Sequence, residues 1–204
     1  MKYIIMCGGP RSFKPLWIVN NESLISRTIR LLRENGVDDI AISTNDDKYE
    51  EYGLPILRHH NPLTWDGFCW MNAFYPVTDP TCYIYGDVYF SPEAIKTIVQ
   101  TQTEDIEFFA SAPPFDPRFQ KIWAESFAFK VQDTKRFFEC IDKVKELDAQ
   151  HRFNRHPISW ELWQVIKGTP INVIDYTNYV VINDYTVDID TEEQARALEK
   201  TGYI

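Results

Sequence analysis

The chain is poor in the residues that mark several large functional classes. Its 204 residues include only four cysteines, Cys7, Cys69, Cys82 and Cys140, far apart and without a C-x-x-C pair. That spacing argues against a zinc site or a disulfide framework and points to reduced, mostly buried thiols in a cytoplasmic protein. Basic residues are outnumbered: 21 Lys and Arg face 30 Asp and Glu, for a formal net charge of −9. General nucleic-acid binding needs a basic stripe, so nucleic acid is not an expected partner, whereas a small anion held by a few local cations is compatible with this charge. No apolar run approaches the roughly 20 residues of a membrane span, so no membrane partner is expected either. The opening Met1-Lys2 passes directly into Tyr3-Ile4-Ile5-Met6, too short an apolar stretch for a signal peptide. There is no internal repeat, low-complexity stretch or linker, and residues 1–204 are expected to form one domain with a sizeable core.

What is present fits a globular α/β chain. Hydrophobic residues make up 44% and aromatics 15%, the latter high enough to thicken a core, stack on a base or cover a partner surface. Residues 2–6 read as a buried strand ended by Gly8-Gly9. Residues 22–35 carry Leu24, Ile25, Ile29, Leu31 and Leu32 at helical spacing, closed by Asn35-Gly36. Ile40 to Ser43 reads as a second strand, which completes a βαβ unit and predicts a parallel sheet covered by helices. Further helices are predicted over 67–75, after Ser91-Pro92, over 133–147, over 159–166 and after Thr191. Further strands are predicted over 81–85, 106–110, 125–129, 171–174 and 179–182. The irregular, aromatic stretch 148–163 is the best candidate for a specificity insertion.

Three short segments carry chemistry. In Gly8-Gly9-Pro10-Arg11-Ser12-Phe13-Lys14, two glycines let the backbone approach a ligand, Arg11 can fork onto phosphate oxygens and Lys14 adds a point charge. Asp87 follows an apolar strand and a glycine, at the edge where open α/β sheets bind ligands. Asp188 and Asp190 alternate along an extended segment and share one face, where they repel unless a cation lies between them. Hard carboxylate oxygens of this kind suit Mg²⁺. Each segment alone also has a plainer reading: a tight turn with surface cations, a turn aspartate after glycine, and a solvated acidic edge.

Their order resembles the GT-A-like nucleotidyltransferases, which join a nucleoside triphosphate to a phosphorylated acceptor and release pyrophosphate. The stretch Lys14-Pro15-Leu16 through Leu24-Ile25 is similar to the family's K-P-L-x-x-V-x-G-x-P-L-I run. Arg30-Leu31-Leu32-Arg33-Glu34-Asn35-Gly36-Val37-Asp38-Asp39-Ile40 resembles it almost word for word. Gly86-Asp87 resembles the metal-binding G-D, and Asp188-Ile189-Asp190-Thr191-Glu192-Glu193 the D-I-D-T-x-E. The resemblance is weak over 50–80 and 110–180. It implies a Rossmann-like three-layer α/β/α domain with a mostly parallel mixed sheet. It also implies catalytic roles for Lys14 and Arg11, phosphate binding by Gly8, Gly9, Arg11 and Ser12, and Mg²⁺ as cofactor on Asp87, Asp188 and Asp190. Two departures stand out. The loop is compressed, with Pro10 lacking an N–H, and Asn21 replaces a glycine, which Asn tolerates through its left-handed conformation.

Ser43-Thr44-Asn45-Asp46-Asp47, with Gly53 and Arg58, resembles a stretch of CMP-sugar synthetases, and D-I-D also occurs in phosphocholine cytidylyltransferases. The resemblance thus favours CTP, puts Thr44, Asn45, Asp66 and Gly67 at the nucleotide, and places the region around Asn61, Trp65, Asp66 and Gly67 where family members complete the base and acceptor site. For the acceptor, Arg118, Arg155 and His156 are candidate phosphate ligands and Trp160 a candidate wall, although surface cations are usually solvated and tryptophans at helical spacing usually core. The family associates such enzymes with glycan biosynthesis, and a homodimer is compatible with the reading. Two alternatives stand beside it. One is a GT-A-like glycosyltransferase using a nucleotide sugar, although that class carries its D-x-D in mid-chain, where this chain has Gly86-Asp87-Val88-Tyr89. The other is an inactive nucleotide-binding or interaction protein of the same fold, for which the Pro10 loop is the sequence support.

Overall fold

Tyr3-Ile4-Ile5-Met6 is buried on both sides, which makes it a central strand with a covering layer on each face. The computed structural model describes residues 1–63, 69–113 and 124–200. Its elements are β1 (Lys2–Met6), β2 (Ile18–Val19), β3 (Glu22–Ser23), α1 (Leu24–Glu34), β4 (Ile40–Ser43), β5 (Ile56–Leu57), β6 (Thr81–Tyr85), β7 (Val88–Tyr89) and α2 (Pro92–Gln100). They continue with β8 (Ile106–Ala110), β9 (Ser126–Val131), α3 (Thr134–Ala149), α4 (Ser159–Lys167), β10 (Val180–Val181), β11 (Val187–Asp188) and α5 (Glu192–Lys200). A seven-stranded sheet has the order β10-β8-β9-β6-β1-β4-β5. β1 runs parallel to β4 and β6, β4 to β5, and β8 to β10, while β9 is antiparallel to both β6 and β8. The sheet is therefore mixed and mostly parallel, as the family resemblance implies; the βαβ pattern alone predicts the parallel part, and β9 supplies the antiparallel one.

Alternation along β1 assigns the two faces. Tyr3 and Ile5 pack with Ile25, Ile29 and Leu32 of α1 and Ile95 and Ile98 of α2. Ile4 and Met6 face the other way, in a cluster with Phe137 and Ile141 of α3 and Trp160 and Trp163 of α4. A third, smaller cluster joins Val19, Leu24, Tyr89, Val187, Ile189, Ala195 and Leu198. It fastens α5 and the β7–β11 ribbon to the start of α1, and so brings the end of the described chain to its beginning.

Local signals account for the element ends. Ser23 and Ser91 accept from Ser26 N and Ala94 N as N-caps, and Pro92 opens α2. The β2–β3 hairpin turns through Asn20 and Asn21 at φ 50° and 61°, both left-handed, as a two-residue hairpin turn of this kind requires. Asn21 thus occupies the conformation that a glycine would otherwise supply.

Two predicted elements differ. The helix over 67–75 is a single 3-10 turn at Trp70–Ala73, with residues 67 and 68 outside those described. The strand over 171–174 is a turn: the Gln164 amide donates to the carbonyls of Pro170 and Val173, which a strand would have offered to a neighbour, and Pro170 brings no N–H. Among the described residues no helix is long and apolar enough to cross a membrane.

Candidate functional site

The parallel strands β1, β4 and β6 end on the same edge of the sheet, and the chain leaves that edge through Cys7-Gly8-Gly9. Gly9 has φ +85°, open to glycine at little cost. The following residues form tight turns, with Ser12 N donating to Gly9 O at 3.2 Å and Lys14 N to Arg11 O at 3.0 Å. This curl points the Lys14 side chain inward, and only 3% of it is exposed.

Its ammonium ends among carboxylates. Lys14 Nζ lies 2.7 Å from Asp87 Oδ2, 3.0 Å from Asp190 Oδ1 and 3.6 Å from Asp188 Oδ1. Arg11 Nη1 reaches Asp190 Oδ1 at 2.9 Å. Burial alone would lower the Lys14 pKa, but Asp87, Asp188 and Asp190 outweigh it and hold the ammonium protonated. The Asp188 carboxyl is pushed well above the usual range, first by burial and then by Asp87. Cys7, buried at the end of β1, is likewise raised by burial and stays a thiol.

Backbone pairing sets this geometry. Asp188 pairs with Val88 in the antiparallel β7–β11 ribbon, and Ile189 N donates to Asp87 O at 3.0 Å. Only Asp188 lies in a strand, yet both Asp188 and Asp190 reach Lys14. Asp188 N is held by Glu125 Oε2 at 3.1 Å and Asp190 N by Gln194 Oε1 at 2.6 Å.

Gly86 is needed for contact rather than for φ. A Cβ there would stand 2.6 Å from Met6 O, 2.7 Å from Cys7 Sγ and 3.1 Å from Pro15 Cγ. Two of those neighbours are backbone or short buried atoms that cannot swing away. Gly86→Ala is expected to destabilise the protein by about 1–3 kcal/mol, as overpacking does. Denaturant midpoints of the two proteins check this, and equal midpoints would show that β6 and the Lys14 loop can separate without cost.

A cavity of about 260 Å³ opens beside this cluster. Arg11, Lys14 and the three aspartates form one wall, and Trp70, Met71, Phe74, Tyr85 and Ile158 the other. A wider cleft of about 720 Å³ is bordered by Asn45, Arg58, His59, His60 and Asn61. Asn61 is 1% exposed, and among the described residues its Nδ2 and Oδ1 have no hydrogen-bond partner. A buried amide left unpaired costs on the order of 1–3 kcal/mol, which marks it as awaiting a partner. A Gly8 Cβ would come within 3.2 Å of that amide.

Several sequence candidates lie elsewhere or do other work. Thr44 is fully buried, donates to Cys7 O at 3.1 Å and accepts from Asp46 N, so it ties the end of β1 to the end of β4. Asn45 spends its side chain on the loop after β5, accepting from His59 N at 3.1 Å and donating to Asn61 O. Ser12 donates to Asp46 Oδ2 at 3.4 Å. Trp160 is a core residue: it is 3% exposed, edge-on to Phe108 at 5.0 Å, with Nε1 donating to Ala124 O. Arg155 holds Glu161 Oε1 at 2.6 Å while that carboxylate accepts from Ile158 N, so it steadies the start of α4. His156 pairs with Asp148 at 3.3 Å and borders a separate depression with Lys145 and His151. Asp66, Gly67 and Arg118 lie outside the described residues. The cavity-lining residues that the sequence reading did not single out include Trp70, Phe74, Tyr85 and Glu125. Tyr85 stands two residues before Asp87, at the end of the strand that leads to it, the one sequence signal that could have singled it out.

Known structures share this architecture. A Thermus thermophilus 2-C-methyl-D-erythritol 4-phosphate cytidylyltransferase superposes with a TM-score of 0.64 at 10% identity, covering 100% of this chain and 98% of its own. The CTP:phosphocholine cytidylyltransferase of Streptococcus pneumoniae gives 0.54 at 20% identity, covering 98% and 97%. The chain has the nucleotidyltransferase fold. Rv0371C of Mycobacterium tuberculosis, solved in complex with manganese, also shares it, with a TM-score of 0.56 at 12% identity over 98% and 97%. No protein-family model and no curated protein sequence matches the chain. In this chain the edge of the sheet where β1, β4 and β6 end is the one that carries Lys14 and its three aspartates.

Among the described residues, no three His, Cys, Asp or Glu side chains stand as a ready group for a metal ion. The donor set nonetheless suits one: three carboxylate oxygens converge within 3.6 Å of one point, and Asp188 Oδ1 makes no hydrogen bond. At that point stands the Lys14 ammonium.

Proposed function

We propose that this protein is a Mg²⁺-dependent nucleotidyltransferase. It couples a nucleoside triphosphate, CTP in the first place, to a phosphorylated small molecule and releases pyrophosphate. The observation that carries the reading is the buried Lys14 ammonium, gathered with Asp87, Asp188 and Asp190 beside the Gly8–Arg11 loop. The cytidylyltransferase names of two structures of this fold, and the Ser43–Asp47 resemblance, favour CTP.

In this reading the nucleobase lies in the wider cleft bordered by Asn45 and Asn61, where the Asn61 amide offers it a donor and an acceptor. Arg11 forks onto the phosphates, and Lys14 faces the α-phosphate, where charge builds as the acceptor oxygen bonds to phosphorus. The bond from the α-phosphorus to the bridging oxygen breaks, and the pyrophosphate carries away that electron pair. Asp87, Asp188 and Asp190 would hold the metal, which when bound would supply charge neutralisation at the phosphate oxygens. The 260 Å³ cavity with Trp70, Phe74 and Tyr85 on its wall fits a small acceptor rather than a polymer. Positioning and charge do the chemistry, with no covalent intermediate.

Thermal-shift and pyrophosphate-release assays test this with CTP, UTP, GTP and ATP, each with Mg²⁺, against phosphorylated sugars, amino alcohols and polyols. Stabilisation by CTP above the others, and pyrophosphate release with one acceptor, is the expected result. Stabilisation by a nucleotide sugar alone, with no pyrophosphate formed, would turn the assignment to a glycosyltransferase or a binding protein.

A further inference from the structure

We propose that Lys14 and a divalent cation exclude each other at the Asp87–Asp188–Asp190 cluster, so that metal and polyphosphate bind weakly alone and cooperatively together. This rests on the nucleotidyltransferase reading above and adds to it the order in which the site can be filled.

Lys14 Nζ is within 3.0 Å of Asp87 Oδ2 and Asp190 Oδ1, and 3.6 Å from Asp188 Oδ1. A Mg²⁺ ion needs oxygens at about 2.0–2.1 Å in near-octahedral array, and these are the oxygens on offer. An ammonium and a dication cannot both sit among them, because they would lie within a few ångströms of each other with no room for water between. The 3% exposure of Lys14 removes the screening that would let them coexist.

Arg11 extends the lock. Its guanidinium holds Asp190 Oδ1 at 2.9 Å, so both cations of the phosphate-facing loop are tied to the acids. A polyphosphate gives Arg11 and Lys14 another anion to grip. As they turn to it, the three carboxylates are freed and need a new cation. Each ligand thus removes the cost that the other would have met, and by linkage the coupling is equal in both directions. Lys14 would reach the α-phosphate only in company with the metal, which protects the site from binding triphosphate unproductively.

The test uses the full chain with Mn²⁺ as metal and inorganic tripolyphosphate as a base-free polyphosphate. Calorimetry and the Mn²⁺ EPR signal read binding, with no turnover involved. In the wild type, tripolyphosphate should raise Mn²⁺ affinity at least tenfold, and Mn²⁺ should raise tripolyphosphate affinity by the same factor. Lys14→Met should bind Mn²⁺ alone at least tenfold more tightly than the wild type, with the coupling reduced, whereas Lys14→Arg should keep the weak binding. Near-UV circular dichroism checks the fold; should Lys14→Met lose it, Lys14→Gln must show the same tenfold gain. Mn²⁺ binding no tighter in the neutral variant overturns the exclusion. Wild type that takes up both ligands without coupling overturns it too, while leaving the nucleotidyltransferase reading intact. Wild type that binds neither ligand, even together, overturns the nucleotidyltransferase reading and this inference with it.

Discussion

Lys14→Ala is expected to lower kcat for pyrophosphate release by about 10²–10³-fold, the range found when a preorganised charge is removed from a developing anion. The Lys14 side chain has little freedom. It is 3% exposed and fixed by three carboxylates at the edge where β1 and β6 end. Such a group has its reorganisation already done by the fold, so its full effect falls on the step where charge moves. The loss should appear in kcat more than in the KM for the triphosphate, because Arg11 and the glycine loop still hold the phosphates. Saturating Mg²⁺ keeps the acid cluster neutralised during the measurement. A variant whose kcat stays within about threefold of the wild type would remove Lys14 from the chemistry and leave it as the structural partner of Asp87.

Trp160→Ala should cost about 3–5 kcal/mol of stability, the usual range for emptying a large aromatic site. Trp160 packs edge-on against Phe108 at 5.0 Å and Tyr179 at 5.2 Å, and its Nε1 satisfies the Ala124 carbonyl. Removing it both opens a void between α4 and the sheet and leaves that carbonyl unpaired. Trp160→Phe keeps most of the volume, so it should fold, lose less stability and leave the acceptor KM unchanged. The pair separates a core residue from a ligand wall. A Trp160→Phe protein of normal stability with a much raised acceptor KM would return Trp160 to the substrate.

These two residues show where the sequence is legible. Lys14 could be placed because its neighbours carry local signals: an apolar run, two glycines, a helix with Ser23 and Asn35 at its ends. The strand Thr81–Tyr85 and the helix opening Ser91-Pro92 are read in the same way, from burial pattern and cap chemistry. Trp160 and Trp163, by contrast, show helical spacing, which says that they share a face and nothing about what that face meets. Only packing on Phe108 and Phe129 answers that. Thr44 and Asn45 stand at the correct edge of the sheet, but a hydroxyl or amide close to a ligand edge serves the backbone equally well. Asn61 is the reverse case: the resemblance already places its stretch at the base and acceptor site, and burial adds that its side-chain amide has no partner among the described residues. The meeting of Asp87 with Asp188 and Asp190 has no local signal, since the β7–β11 pairing joins distant parts of the chain, Val88 with Asp188. The order of the motifs carried that information.

That same pairing bears on how the protein acquires its chemistry during synthesis. Lys14 and Asp87 emerge early and can settle on the β1–β6 core, but the remaining acids arrive with Val187–Asp188. Closing so long a loop is slow relative to forming α1 or the β2–β3 hairpin. A nascent chain therefore folds much of its sheet before its acid cluster exists. Competence appears late, as a last docking event, and the third apolar cluster around Leu24, Tyr89 and Ile189 is the latch that closes it.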